Sequence, residues 1–299
     1  MYLDQNSSLQ DEIADKLAAV YNAGFEYCYF DGSEGTNAPF EIYVPYAQYR
    51  VYRKFNNAPL YCEGAAKAHF SWHMISGGNA FDVFNADVFK EKIAQFPAQA
   101  APRARDSFTC VNFGWWQFWG APTQADHFEY SSSRAAAWDC PATMISDERL
   151  FDQNPRLYDV LEVLRRWEEV RATNWLTDAQ KEELKNLEQE HILLINEQKE
   201  FELVPYDQIK DLQAADVSAF CFSRNGENYA VYWYRTGSGK LHLNLSSKDY
   251  QVVEELWEDA LPASDAIPAD KRRYVKTKLP MDTLIAAFQK AELTDVKEG

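Results

Sequence analysis

Between residues 8 and 170 the apolar positions switch repeatedly between a helical period and short unbroken runs. Residues 9–22 place Ile13, Leu17, Val20 and Tyr21 on one face of a predicted helix, opened by Ser8 with Asp11 three residues later. An apolar run at 26–30 follows, and similar runs at 60–62, 107–113 and 137–143 predict three more strands. Helical patterns at 46–55, 87–96 and 156–170 separate or follow them. Unbroken rather than alternating runs are expected of parallel strands covered on both faces. The alternation is a βα repeat, and four such units are half of an eight-stranded barrel, which typically needs ~250 residues. The predicted architecture over 1–175 is the C-terminal part of a (β/α)8 barrel whose N-terminal half is missing.

The period then changes. Thr177 with Gln180 three residues on makes a capping-box pattern. It predicts a charged helix through Glu200, with Leu184, Leu187, Leu194 and Ile195 on one side and a solvated Glu/Lys face on the other. Residues 176–202 read as a connecting helix. From 203 onward the pattern alternates, predicting antiparallel strands at 217–222, 229–234 and 241–245. Asn225-Gly226 and Gly237-Ser238-Gly239 supply the turns. A further strand is expected at 271–278, and Leu284, Ala287, Phe288 and Ala291 predict a closing helix. The fold class expected is α/β: a partial (β/α)8 TIM-type barrel followed by a small antiparallel β-sandwich over 203–299.

Composition narrows the function. The chain of 299 residues carries a formal charge of −16, which disfavours nucleic acid because phosphate binding needs clustered cations. No apolar run approaches the ~20 residues of a membrane span. The first residues show no basic segment followed by an apolar one, so no signal peptide is expected. Five cysteines without a CxxC pair, each inside a short apolar run, read as buried thiols. Nine Trp residues raise the aromatic share to 15%, more than the periodic segments use. Surplus rings of this kind can stack on the flat faces of sugars.

The candidate chemistry lies at strand ends. Tyr29-Phe30-Asp31-Gly32-Ser33-Glu34-Gly35 sets two carboxylates in a turn after the first strand, and Leu60-Tyr61-Cys62-Glu63-Gly64 repeats strand, acid and glycine in the next unit. Acids at the C-terminal ends of barrel strands reach the rim where substrate binds. On neighbouring strands, Asp31 and Glu63 can divide glycosidic-bond cleavage between nucleophile or base and acid, with Glu34 in reserve. His69 and His73 have the spacing of a helical pair, yet Phe70 stands where the HExxH glutamate would be, so no metal is expected. With Trp72 they read as contacts to substrate hydroxyls. Trp115, Trp116 and Trp119 read as stacking subsites, and Arg134 and Trp138 flank the last strand as further substrate contacts. No GxSxG elbow, Walker motif or dinucleotide fingerprint is present, and no cofactor is expected.

The acidic strand ends resemble those of bacterial (β/α)8 glycoside hydrolases. The segment Tyr229-Ala230-Val231-Tyr232-Trp233-Tyr234-Arg235-Thr236-Gly237-Ser238-Gly239-Lys240-Leu241 resembles the β-sandwich that follows the barrel in such enzymes, including α-fucosidase-like and α-galactosidase-like groups. The resemblance implies a glycosidase acting on an oligosaccharide or polysaccharide, inactive if truncated, whose parent enzyme is secreted or periplasmic. Polysaccharide lyase and non-catalytic carbohydrate-binding fragment are the alternative readings.

Overall fold

The computed structural model describes residues 6–31, 42–64, 71–79, 82–83, 85–95, 110–112 and 115–298. The chain divides into two compact units, one of Met1–Asp82 with Phe96–Trp115, the other of Val83–Gln95 with Trp116–Gly299. In chain order the elements are α1 (Leu9–Tyr21), β1 (Tyr27–Phe30), α2 (Tyr43–Tyr52), β2 (Tyr61–Gly64), β3 (Gly77–Asn79) and β4 (Asp82–Val83). Next come α3 (Phe89–Gln95), β5 (Cys110–Asn112), β6 (Trp115–Gln117), α4 (Ala125–Ala137), β7 (Thr143–Ile145), α5 (Glu148–Asp152), α6 (Leu157–Ala172) and α7 (Asp178–Leu184). The remainder is β8 (Glu190–Ile195), β9 (Phe201–Gln208), β10 (Val217–Arg224), β11 (Glu227–Tyr234), β12 (Gly237–His242), β13 (Tyr250–Val253), β14 (Ala266–Pro268), β15 (Arg273–Thr277), α8 (Met281–Gln289) and β16 (Glu292–Glu298).

In the first unit, β1 and β2 pair in parallel, as do β3 and β5. The two pairs are tied by Ser76 N–H donating to Cys62 O at 2.9 Å and Cys62 N–H donating to Ser76 Oγ at 2.9 Å. β1, α2 and β2 make one step of the expected βα pattern, whereas β3 and β5 are separated in the chain by β4 and α3, and the described parallel strands are short and remain two-stranded pairs. The helices differ from expectation in their inner face. Gln10, Ala14, Ala18 and Tyr21 of α1 are buried, whereas Leu17 and Val20 are 51% and 60% exposed. Small alanines let α2 approach closely with its own Val44, Ala47 and Val51, a packing that hydrophobicity alone does not reveal. An Arg50–Asp11 ion pair joins the two helices, and Lys54, just past α2, pairs with Asp15 of α1.

The second unit holds two antiparallel sheets, one ordered β13-β15-β11-β10-β9-β8 and one ordered β14-β12-β16. They share a core with α8, in which Val217, Ala230, Tyr232, Leu241, Ile267, Val275, Leu284 and Phe288 are all buried. Asn225 and Gly226, at φ 51° and 77°, form the two-residue turn of the β10–β11 hairpin, as expected of an Asn-Gly pair.

The structure departs from the sequence pattern at three further places. The charged helix ends at Leu184, and Glu190–Ile195 is a strand. His191 to Leu194 are wholly buried, as an edge strand under helices requires, and Asn196 with Lys199 at φ 62° turns the chain into β9. The strand expected at 137–143 is displaced: Ala137 is the last residue of α4, residues 138–142 form the turn and connection after it, with Asp139 at φ 54°, and the strand is Thr143–Ile145. Gly237-Ser238-Gly239 is not a turn but the bulged start of β12. A Cβ on Gly239 would stand 3.2 Å from the carbonyl oxygen of Thr294 on β16, so glycine allows that close approach.

Candidate active site

Among the described residues of the first unit, the β1–β2 pair brings tyrosines and carboxylates together. Its register sets Tyr27 beside Tyr61, Cys28 beside Cys62, Tyr29 beside Glu63 and Phe30 beside Gly64. Because side chains alternate between faces, Tyr27, Tyr29, Tyr61 and Glu63 share one face, and Cys28, Phe30, Cys62 and Gly64 share the other. The cysteine face is the one the helices cover: burial, then the neighbouring Cys62 and Cys28, push the Tyr52 phenol of α2 above its ordinary range. A Cβ on Gly64 would stand 2.5 Å from the end of the Ile75 side chain, so a larger residue there requires Ile75 to shift.

On the opposite face Glu63 is wholly buried. Tyr27 Oη donates to Glu63 Oε2 at 3.0 Å. Burial, and next the Glu63 carboxylate, raise the Tyr27 phenol well above its ordinary value, so it stays a neutral donor. The Tyr27 and Tyr61 rings stack with centroids 5.4 Å apart. Asp31, the residue after β1, is exposed, and Tyr29 Oη donates to its Oδ1 at 3.2 Å. Two tyrosine–carboxylate pairs therefore lie along one face. Asp31 and Glu63 do not occupy equivalent positions, since Glu63 lies level with Tyr29, inside its strand rather than beyond it. Two residues of strand and one strand spacing separate their Cα atoms by roughly 8 Å.

The other predicted site residues are distributed between the units. His73 is exposed in the one-turn 3-10 helix Ser71–His73, which also contains Trp72. Glu34 and His69 lie outside the described residues, and Trp115 is described only as part of β6. In the second unit Trp116 is wholly buried, packed on Phe89 and Phe128 with centroids 5.9 Å away in each case. The Trp119 ring also packs on Phe89, with centroids 5.6 Å apart. These two rings serve a core cluster, which accounts for part of the tryptophan surplus. Arg134 is wholly buried in α4; its guanidinium donates to Asn186 O, Gln189 O and Ser133 Oγ and lies 4.0 Å from the Tyr130 ring centroid. It is thereby committed to tying α4 to the loop before β8 rather than to a substrate. Trp138 caps α4, with Lys185 Nζ 4.2 Å from its ring centroid.

The tyrosines on the acid face were not singled out by the sequence pattern. Their signal was present: Tyr-Cys occurs at 27–28 and again at 61–62, one dipeptide repeated at the same level of two adjacent strands. Among the described residues no three His, Cys, Asp or Glu side chains converge to hold a metal ion, and no helix is long and apolar enough to cross a membrane.

No protein-family model and no curated protein sequence matches the chain. Solved structures of glycoside hydrolases resemble it weakly. Eubacterium rectale Amy13B aligns at a TM-score of 0.40 and 10% identity, over 93% of this chain and 65% of that one. An α-amylase from H. orenii aligns at 0.37 and 9%, over 92% and 65%. A GH27 β-L-arabinopyranosidase from Geobacillus stearothermophilus aligns at 0.35 and 9%, over 91% and 62%. The chain spans less than two thirds of the length of each of the three. Likeness at this level carries no argument about activity, which rests on the residues themselves.

Proposed function

We propose that the chain is a glycan-acting protein of the glycoside hydrolase type, with Glu63 and Asp31 as its working carboxylates. The observation that carries this reading is Glu63: a wholly buried carboxylate, held by a phenol, on the strand face turned away from the helices. In a (β/α)8 architecture that face looks into the barrel, and its C-terminal end opens on the substrate rim. Glu63 acts as proton donor to the glycosidic oxygen, and Asp31, exposed at the strand end, as nucleophile or base. Unlike environments are what divide acid from base between two carboxyls. Tyr27 fixes the orientation of the Glu63 carboxyl, and the Tyr27–Tyr61 stack gives the face an apolar floor suited to a sugar ring. His73, in the turn after β2, serves as a contact to substrate hydroxyls. The two antiparallel sheets of the second unit are the β-sandwich of this reading.

The test is release of reducing ends from a panel of α- and β-linked aryl hexosides, aryl pentosides and plant and storage polysaccharides. Release from at least one supports hydrolysis. An ultraviolet-absorbing unsaturated product would instead identify elimination, and retention of a glycan without turnover would identify a binding protein; either overturns the reading.

A further inference from the structure

The helix-covered face of β1–β2 carries a second chemistry, independent of the acids. Cys28 and Cys62 are register partners on adjacent parallel strands, and both are free thiols. Strand spacing sets their Cα atoms at roughly 4.8 Å, inside the 4.4–6.8 Å range that a disulfide bridges. Register also points both side chains to the same face, so no backbone has to turn over to join them. Cys62 is 1% exposed, whereas Cys28 is only partly buried, so a small oxidant reaches Cys28 first.

We propose that Cys28 and Cys62 are a redox-active pair that closes to a cross-strand disulfide when a peroxide oxidises Cys28. The Cys28 thiolate attacks hydrogen peroxide, forming its S–O bond as the O–O bond breaks and hydroxide leaves, which takes up a proton to become water. The Cys62 sulfur then attacks the sulfenic sulfur, losing its own proton as the S–S bond forms and the hydroxyl leaves as a second water. Two thiols are oxidised by two electrons and one peroxide is reduced. The order agrees with the local electrostatics: the Cys62 thiol, hydrogen-bonding to Cys28, holds Cys28 below the ordinary thiol range, while the same contact and burial push Cys62 above it. A dithiol reductant reopens the pair by exchange. Cys62 directly precedes Glu63, so closure also ties down the strand that carries the buried acid.

Peptide mapping of the full chain tests this. After peroxide, alkylation and trypsin, the expected product is peptide 17–50 linked to 55–67, two hydrogens lighter than their sum and separated again by dithiothreitol. Cys140 and Cys221 should remain alkylatable once the chain is unfolded. In Cys62→Ser, with unchanged circular dichroism, Cys28 should instead be trapped by dimedone as its sulfenic acid. Recovery of both Cys28 and Cys62 as alkylated thiols from the oxidised wild type overturns the proposal. So does a Cys28 link to any other cysteine. The wild-type map is decisive whether or not the variant folds.

Discussion

At the residue scale, the second unit depends on a buried carboxylate that the sequence pattern does not advertise. Glu129 accepts from Trp167 Nε1 at 2.7 Å, from Leu193 N at 3.3 Å and from Arg272 Nη1 at 2.8 Å, joining α4, α6, β8 and the residue that leads into β15. Glu129 and Arg272 are only 2% and 7% exposed. Removing one partner strands the other charge away from water, so Glu129→Ala is expected to lower unfolding free energy by about 3–5 kcal/mol. Urea denaturation checks it, and a loss below about 1 kcal/mol would show that the pair does not hold the unit together. Arg134 is a second buried charge that local sequence does not explain. Nothing in its neighbourhood along the chain distinguishes a ligand-binding arginine from one engaged by Asn186 and Gln189 carbonyls more than fifty residues away. The adjacency of Asp31 and Glu63 was readable because two similar strand ends occur in succession. Their stagger was not, because register is set by pairing between segments distant in sequence.

At the scale of elements, turn chemistry was legible and long periodicities misled. Asn225-Gly226 dictates its hairpin, because both residues adopt positive φ at low cost only as Asn and Gly. No atom lies within 4 Å of a Cβ added at Gly226, so Gly226→Ala should cost about 1 kcal/mol through backbone strain alone. A thermal melt of the variant measures this, and an unchanged midpoint would contradict it. The helix expected through Glu200 failed at a point where local pattern is ambiguous. His191-Ile192-Leu193-Leu194-Ile195 satisfies a helical stripe and a buried strand equally well, and tertiary coverage decides. The cysteines were more legible, although Cys28 is only partly buried. Cys62, Cys140 and Cys221 are buried, and burial raises the Cys221 thiol to about 11. Native Cys221 should therefore resist maleimide at neutral pH and label rapidly in urea; equal rates in the two states would contradict its burial.

At the scale of the whole molecule, the acidity of the chain is organised around arginines. Glu197, hydrogen-bonded by Arg224, and Glu162, hydrogen-bonded by Arg165 and Arg166, are both held down to about 2. Each carboxyl is more acidic folded than unfolded, so its stabilising contribution is full above about 4.5 and is lost as pH falls through about 2. The urea midpoint should decline across that window. Glu197→Gln should flatten part of the decline, and an unaltered slope would show that Glu197 has no part in it. The βα succession of the first unit and the antiparallel sheets of the second were legible from the change of period. The proposed role of Glu63 as proton donor is tested most directly by the kinetics of Glu63→Gln on any glycoside that the wild type is found to hydrolyse. The predicted result is a fall in kcat of about a hundredfold or more, with KM and the urea midpoint little changed. Turnover within a few-fold of wild type would contradict it.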